Sequence, residues 1–223
     1  MWAPVNINPV TTSRTVRDTY HHGDLRNALI RAAAGLAERG GPDAVTIRAA
    51  AREVGVTPTA TYRHFASQAE LLDAAKQVAF EGMSRAIIEL LEAISEGGDP
   101  VDIAVRRFEA SGKGYVRYAL AEPGLFRTAF CRTPPGHEKP NLGDVAPYAM
   151  LTALLDRLVE VGHLDPALRP VAEAGAWSTV HGLSMLLIDG PFQRLDADER
   201  DEVIDRTVAM VSRGLAGGPK ART

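Results

Sequence analysis

Residues Thr46 to Phe65 read Thr-Ile-Arg-Ala-Ala-Ala-Arg-Glu-Val-Gly-Val-Thr-Pro-Thr-Ala-Thr-Tyr-Arg-His-Phe. This pattern predicts a short amphipathic helix capped by Thr46, a turn centred on Gly55, and a second short helix that begins at Pro58 and ends near Phe65. Two helices joined by a tight glycine turn are typical of a helix-turn-helix. The second helix of such a unit enters the major groove of DNA. The stretch therefore predicts a DNA-binding protein.

The predicted DNA contacts are mostly polar side chains on these two helices. Threonine hydroxyls can donate to phosphates, and threonine methyl groups can touch a thymine methyl. Tyrosine and histidine can pack their rings and place a polar tip on the DNA backbone. The predicted contacts are Thr46, Arg48, Thr57, Thr59, Ala60, Thr61, Tyr62, Arg63 and His64. The alternative is that Thr46 and Thr57 only cap their helices and that Arg48 is a solvated residue.

The charge of the chain is unevenly distributed. The net charge is −3, but residues 1–66 contain eight basic and five acidic side chains, a balance of +3. The remainder has seventeen basic and twenty-three acidic side chains, a balance of −6. Phosphate binding depends on where positive charge lies, so a basic N-terminal part with an acidic remainder is compatible with DNA binding. Ordinary scatter of charges is the alternative.

Length and composition indicate a globular protein. The chain has 223 residues, of which 45% are hydrophobic, enough for a sizeable core. No apolar run approaches the roughly 18–20 residues that span a bilayer, and Met1–Thr15 lacks the apolar core of a signal peptide. Cys131 is the only cysteine, which excludes an intramolecular disulfide. We expect a cytoplasmic protein with no membrane partner.

Hydrophobic periodicity predicts an all-α fold with about nine helices and no convincing strand. Besides the two helices of the opening stretch, the predicted helices are Gly23–Arg39, Gln68–Ser95, Val101–Glu122, Leu125–Arg132, Val145–Val161, Pro166–Ile188 and Ala197–Leu215. We expect a flexible arm at 1–19, a DNA-binding domain at 20–66, a helical ligand-binding and dimerisation domain at 67–216, and a flexible tail at 217–223. The long helix from Gln68 would join the two domains.

The N-terminal part resembles the TetR (tetracycline-repressor-like) family of bacterial transcription regulators between Leu25 and Leu72. The resemblance rests on Thr46-Ile47-Arg48, Gly55-Val56-Thr57, Thr61-Tyr62-Arg63-His64-Phe65 and the helix capped at Ser67. The chain departs from the family pattern at Thr61 and Arg63, and at Gln68, where a phosphate-binding lysine is common. Further on, 121–127 and 177–183 are similar to segments of one branch, which has a Trp-x-x-x-His-Gly segment.

The resemblance implies a homodimeric regulator of transcription with a ligand-responsive C-terminal domain and no cofactor. Arg48 would reach a guanine edge. We expect a repressor that releases a palindromic operator when a small effector binds and shifts the long helix from Gln68. The alternative is a repressor or activator without a small ligand, controlled by its abundance or by a protein partner at the loop Thr133–Gly143.

The aromatic and methionine residues of the middle helices are the predicted effector-binding residues, because ligand pockets are mostly apolar with a few directing polar groups. A plain hydrophobic core is the alternative. These residues are Phe108, Tyr115, Tyr118, Phe126, Phe130, Tyr148, Trp177, His181 and Met185.

The last two long helices are the predicted dimer interface, because a ridge of small residues on the first lets another helix approach closely. The alternative is that both helices only close the core of a single chain. The predicted interface residues are Ala172, Gly175, Ala176, Thr179, Gly182, Val203, Thr207, Val211 and Leu215.

Catalytic and metal sites are not predicted. His21 and His22 are adjacent and would point in different directions on a helix, and one cysteine cannot build a thiolate metal site. The chain has no recognised glycine-rich phosphate loop. We therefore expect neither an enzyme nor a metalloprotein.

Overall fold

The computed structural model describes residues 22–132 and 145–216, and confirms the predicted all-α class: the described residues form nine α-helices and no strand. A single isolated bridge joins Leu164 to Ala216. The predicted arm at 1–19, the tail at 217–223 and the loop Thr133–Gly143 lie outside the described residues. Among the helices of the described part, none combines the length and apolar character needed to cross a membrane.

Four helices build the N-terminal head and lead out of it: α1 His22–Gly40, α2 Ile47–Val54, α3 Pro58–Tyr62 and α4 Gln68–Glu92. A short 3₁₀ turn, Pro42–Ala44, joins α1 to α2. The predicted end of α3 near Phe65 is wrong by three residues. After Tyr62 the backbone tightens, since the N–H of Arg63 bonds to Ala60 O and that of His64 to Thr61 O. This turn brings Phe65 into the core, where its side chain is fully buried.

Five further helices build the body: α5 Pro100–Ala121, α6 Pro123–Phe130, α7 Ala146–Glu160, α8 Arg169–Ile188 and α9 Ala197–Leu215. The prediction began α6 at Leu125, after Pro123 and Gly124. The structure instead places both residues inside the first turn of α6. Proline suits that position, because its fixed φ matches a helix and its missing N–H would have no partner there.

Side-chain caps set most helix starts, as the sequence indicated. The hydroxyls of Thr46, Thr57 and Ser67 accept from the backbone N–H three residues further on, at 3.1, 3.2 and 3.1 Å. The carboxylate of Glu70 accepts from the N–H of Ala66 at 2.7 Å. These bonds satisfy donors that would otherwise have no partner in the first turn, and thereby hold α2, α3 and α4 at defined starting points.

Two helices belong to both the head and the body. Leu71 and Ala75 on the first turns of α4 lie in the head core with Leu29 and Phe65, whereas Met83 further along α4 lies in the body core. On α6, Leu125 packs against the core clusters of both parts. The head is therefore attached to the body by packing as well as by chain connection.

Candidate DNA interface and interior cavity

The turn between α2 and α3 has the geometry of a helix-turn-helix. Gly55 ends α2 with φ 77° and ψ 29°, a left-handed conformation that favours glycine. Its N–H bonds to Ala51 O and Arg52 O, and the N–H of Val56 bonds to Ala51 O at 2.9 Å. This hydrogen-bond pattern closes α2 sharply and lets α3 begin at Pro58. The predicted motif is confirmed.

Most of the predicted DNA contacts lie at the surface of this motif. Tyr62 is 56% exposed, unusual for a large aromatic side chain, whereas Phe65 three residues later is fully buried. Four more predicted contacts are exposed, namely Arg48, Thr57, Thr59 and Arg63, and three are half-buried, namely Thr46, Ala60 and His64.

Thr61 requires a correction. It was predicted as a DNA contact, but its side chain is completely buried. Its hydroxyl points back along α3 and donates to Thr57 O at 3.5 Å. Thr61 therefore lies on the side of α3 that faces the interior of the head. In this conformation its side chain contributes to the packing of the head.

Three arginines of this surface carry positive charge that no described acidic residue neutralises. Arg39 on α1 pairs with Glu53 at 2.7 Å. In contrast, Arg48, Arg52 and Arg63 form no ion pair with any residue that the structure describes. Unpaired guanidinium groups can displace the counterions of phosphates, which is the main source of protein–DNA affinity.

An interior cavity of about 50 Å³ lies within the body. Five predicted effector-binding residues line it: Phe108, Tyr115, Phe130, Tyr148 and Trp177. Three pairs of these rings are in tilted contact, Tyr115 with Phe130, Phe130 with Trp177, and Tyr148 with Trp177, with centroid distances of 6.2, 6.3 and 4.9 Å. The cavity thus brings together aromatic residues from α5, α6, α7 and α8.

Four predicted effector-binding residues do not line this cavity. Phe126 is fully buried in the body core, and Met185 is 37% exposed on the outside of α8. Tyr118 points to the other side of α5, where its ring edge occupies the space beside Gly82 on α4. His181 lies behind the cavity wall. Helical spacing alone did not distinguish the inner and outer sides of α5 and α8.

His181 belongs to a hydrogen-bond chain with two residues of the cavity wall. Its Nδ1 lies 2.9 Å from the hydroxyl of Tyr115, which accepts from Trp177 Nε1 at 3.3 Å. Burial lowers the pKa of His181 from its ordinary value of 6.5 and raises the pKa of Tyr115. A neutral His181 can accept the proton of Tyr115 at Nδ1, so the tyrosine hydroxyl is fully partnered.

Sequence reasoning missed several cavity residues, of which Phe80 and Ile87 on α4 and Ser111 on α5 matter most. Phe80 and Ile87 are seven residues apart and therefore lie on the same side of α4. This helical spacing in the sequence could have predicted that both face the cavity. Ser111 is a polar residue between Phe108 and Tyr115 on an apolar helix side. Within 22–132 and 145–216, no group of three or more His, Cys, Asp or Glu side chains could hold a metal ion.

The predicted dimer surface also requires correction. Ala172 and Ala176 are buried inside the chain, where Ala176 lines the cavity. Val203, Val211 and Leu215 pack against the core clusters of their own body, because α9 directs its apolar side to α5 and α8. The other predicted positions, Gly175, Thr179, Gly182 and Thr207, are exposed or half-buried.

The outer side of α8 and α9 is unusually apolar. Val171 and Met185 on α8 are 64% and 37% exposed, and Met210 on α9 is 59% exposed. Between Val171 and Met185 lie Gly175 and Gly182, whose missing Cβ atoms would meet no described atom within 4 Å. We refer to Val171, Gly175, Ser178, Gly182 and Met185 on α8, with Thr207, Met210 and Gly214 on α9, as the outer face.

Family models match both parts of the chain. Residues 29–75 match the model described as "Bacterial regulatory proteins, tetR family", and residues 108–211 match "Tetracyclin repressor-like, C-terminal domain". The first match covers the helix-turn-helix, and the second covers the cavity-lining residues except Phe80 and Ile87 of α4.

Individual relatives agree with the family models. The chain is similar to the uncharacterized HTH-type transcriptional regulator YobS of Bacillus subtilis, with 23% identity over 177 residues, 77% of this chain and 83% of YobS. A solved protein of unknown function from Rhodococcus sp. RHA1 is 27% identical, with a TM-score of 0.73 over 90% of this chain and all of that one. A putative tetR family regulator from Shewanella sp. PV-4 has 18% identity and a TM-score of 0.60 over 87% and 99%. The chain therefore belongs to the TetR family of DNA-binding helix-turn-helix transcription regulators.

Proposed function

We propose that this regulator is a homodimeric repressor that leaves a palindromic operator when a small effector binds in the body. The observation that carries the proposal is the position of the cavity. Two helices that form its wall, α4 and α6, also pack in or against the head core. A ligand in the cavity would therefore touch the same rigid elements that hold the DNA-binding motif.

The first proposed connection is α4. Phe80 and Ile87 line the cavity, and Leu71 and Ala75 of the same helix lie in the head core. A helix is stiff over this distance, so a displacement at Phe80 would carry the head with it. The displacement changes DNA affinity only if the effector binds the two positions of α4 with different affinity.

The second proposed connection is α6. Phe130 at its C-terminal end lines the cavity. At its other end, the backbone of Gly124 lies directly on the carbonyl groups of Ala37 and Glu38 in the last turn of α1. At Gly124 itself no side chain separates the two backbones, so this contact leaves little room to absorb a movement. Pressure on Phe130 would thus reach α1 as a shift of the whole helix.

We propose the outer face as the dimer interface. Glycine inside a helix costs about 1 kcal/mol relative to alanine, and packing within one protomer does not require Gly175 or Gly182. A second copy that packs closely on α8 would require them. The exposed Val171, Met185 and Met210 would supply apolar area for the contact. Two-fold symmetry would then place two DNA-binding motifs on a palindromic site.

The proposed DNA contacts are the exposed and half-buried residues of the motif without Thr61. Arg48 is suited to bidentate contact with a guanine edge, and such a contact contributes roughly 1–3 kcal/mol of discrimination between bases. Tyr62 would place its hydroxyl on a phosphate.

Selection of bound sites from a random double-stranded DNA library tests the proposal. At fixed salt, we expect the wild-type protein to recover a palindrome. The double variant Arg48→Ala, Tyr62→Phe should bind that palindrome about 10- to 100-fold more weakly, since it lacks a base contact and a phosphate contact. Arg117→Ala, which removes an exposed arginine of the body, is the matched control and should bind normally. Recovery of the same non-palindromic DNA by all three proteins would reject the proposal.

A further inference from the structure

Among the residues that the structure describes, those of the cavity wall include no charged side chain. Its sixteen residues are apolar or aromatic except for three hydroxyl-bearing side chains, Ser111, Tyr115 and Tyr148. A charged group transferred from water into such surroundings loses its hydration without gaining a partner, which is strongly unfavourable. The wall therefore selects against carboxylates, phosphates and ammonium groups.

Aromatic rings form most of the large side chains of the wall. Phe80 and Phe130 meet edge to face with centroids 5.6 Å apart, and Trp177 is tilted against Phe130 at 6.3 Å. Ring edges and faces that surround a cavity offer the offset and T-shaped contacts that another ring prefers. A flat aromatic ligand can join this arrangement.

One buried hydroxyl of the wall has no partner. Ser111 is only 7% exposed, and its hydroxyl makes no hydrogen bond with any residue that the structure describes. Other buried hydroxyls inside helices behave differently: Ser84, Thr128 and Ser184 each donate at 2.8 Å to the carbonyl four residues earlier. Buried polar groups are normally hydrogen-bonded, and among the described residues Ser111 departs from this rule together with the buried hydroxyl of Tyr118 on the other side of α5.

Tyr115 does not compete for the same ligand group. It lies one turn after Ser111 on α5, and its hydroxyl is already bonded to Trp177 and His181. Ser111 can both donate and accept, so it suits either a phenolic hydroxyl or a carbonyl oxygen. Tyr148, the third hydroxyl-bearing residue of the wall, makes no side-chain hydrogen bond within the described residues either, but it is half-buried, whereas Ser111 is buried.

The volume of the cavity limits the size of the ligand. At about 50 Å³ it is smaller than an engineered cavity of about 150 Å³ that binds benzene. Even a single ring must push side chains of the wall apart, and Phe130, Tyr148 and Trp177 are only partly buried and can yield. A ligand that fits only the enlarged cavity binds the enlarged conformation more tightly than the small one. Such a difference in affinity is what allows a ligand to shift the protein from one conformation to the other.

From these four observations we infer that the effector is an uncharged single-ring aromatic compound whose one hydrogen-bonding substituent bonds to Ser111. The inference rests on the ligand response proposed above, and it specifies the chemical class of the ligand. Ser111 is the specificity-determining residue, because it is the more deeply buried of the two wall residues, Ser111 and Tyr148, whose hydroxyls have no described partner.

Calorimetric titration of the full-length protein with four probes of similar shape tests the inference. The probes are p-cresol, toluene, p-toluate and 4-methylcyclohexanol. We expect p-cresol to bind about 5- to 10-fold more tightly than toluene, the effect of one hydrogen bond. The charged p-toluate should not bind, and the non-aromatic alcohol should bind more weakly than p-cresol.

Two serine variants isolate the hydrogen bond. Ser111→Ala should bind p-cresol only as tightly as toluene, with toluene affinity unchanged. Ser184→Ala makes the same chemical change at a buried serine of α8 outside the cavity wall, and should retain the full preference. Binding of p-toluate as tight as that of p-cresol, an unchanged preference in Ser111→Ala, or no binding of any neutral ring compound would each overturn the inference.

Operator binding measured on the same samples separates the inference from the proposed function. If p-cresol binds with the expected preference but leaves operator affinity unchanged, the ligand class is supported and the ligand response is rejected. If a charged compound releases the operator and p-cresol does not compete with it, the ligand class is rejected and the response stands.

Discussion

The contact between α1 and α6 and the outer face of α8 both contain helical glycine, for opposite reasons. At the first, a Cβ on Gly124 would lie 2.8 Å from the carbonyl carbon of Glu38 and still closer to two carbonyl oxygens. At the second, a Cβ on Gly175 or Gly182 would meet no described atom within 4 Å. One glycine is required by the fold of a single chain, and the other two are not.

The close backbone contact at Gly124 would transmit movement between helices of one protomer. The open positions at Gly175 and Gly182 would instead serve the association of two protomers. Where two helix backbones touch, as at Gly124, movement of one helix displaces the other. Where glycine lies on an exposed side of a helix, as at Gly175 and Gly182, no other described helix of the same chain packs against it. A helix that packs closely there would have to belong to another molecule. The three predictions below test this distinction, from the largest expected effect to the smallest.

Gly124→Ala should have the largest effect. The added methyl group would collide with backbone atoms of Ala37 and Glu38, which cannot rotate away. We expect the free energy of unfolding to fall by about 3 kcal/mol, the upper range for overpacking of a core. Urea denaturation followed by circular dichroism measures the loss.

Gly35→Ala is the matched control for Gly124→Ala. Gly35 lies in the middle of α1, and its added methyl group would approach only the end of the Arg39 side chain, at 3.2 Å. That flexible group can move, so we expect a gain of about 0.5–1 kcal/mol from helix propensity. Equal stability of the two alanine variants would show that α1 and α6 are not in close backbone contact.

Met210→Glu should break the outer face without affecting the fold of the protomer. Met210 is 59% exposed, so a carboxylate there remains solvated in a monomer but would be buried unpaired between two copies. We expect a 10- to 100-fold rise in the dimer dissociation constant, measured by sedimentation velocity across a concentration series.

Ile88→Glu is the control for association. Ile88 is an exposed apolar residue on α4, 41% exposed and not part of the outer face. This variant should sediment as the wild type does. If Met210→Glu and Ile88→Glu both sediment as the wild type, the outer face is not the interface.

The pH dependence of stability should show the smallest effect. His181 on α8 connects the two regions, since its ring centroid lies 4.8 Å from that of Phe130 on α6. Burial lowers the pKa of His181 below its ordinary 6.5, so the unfolded chain binds its proton more readily. The stability due to neutral His181 is therefore present above pH 6.5 and is lost as the pH falls through the folded-state pKa.

His181→Gln removes this titration but keeps a side chain that can accept from Tyr115. Denaturation at pH 5.5 and 7.5 should show a smaller difference between the two pH values for the variant than for the wild type. An identical difference in both proteins would mean that His181 is protonated equally well in the folded and unfolded chains.

The head was predictable from the sequence apart from the end of α3, which was placed three residues too late, and the burial of Thr61. Thr46, Gly55 and Thr57 act through hydrogen bonds to neighbours within four residues, and such local bonds leave a direct sequence pattern. The misplaced residue in this region is Thr61, whose burial depends on how α3 packs against α2. A five-residue helix has too little periodicity to reveal its inner side.

The body was less predictable. The positions of its helices in the sequence were predicted with small errors at their ends. Which side of each helix faces the interior was not predicted correctly. Ala176 was assigned to the outside and lies in the cavity wall, whereas Met185 was assigned to the cavity and is exposed. α8 is apolar on nearly all sides, so its hydrophobic pattern does not distinguish the inner side from the outer side.

The sequence by itself determined the all-α class, the helix-turn-helix and the capped starts of α2, α3 and α4. These features depend on hydrogen bonds and periodicity within a few residues. Only the tertiary structure decided that Gly124 joins α6 to α1, that Ser111 remains without a partner in a wall of rings, and that the outer face of α8 is bare. Each of these depends on atoms that are distant in sequence, and their proximity follows from packing alone.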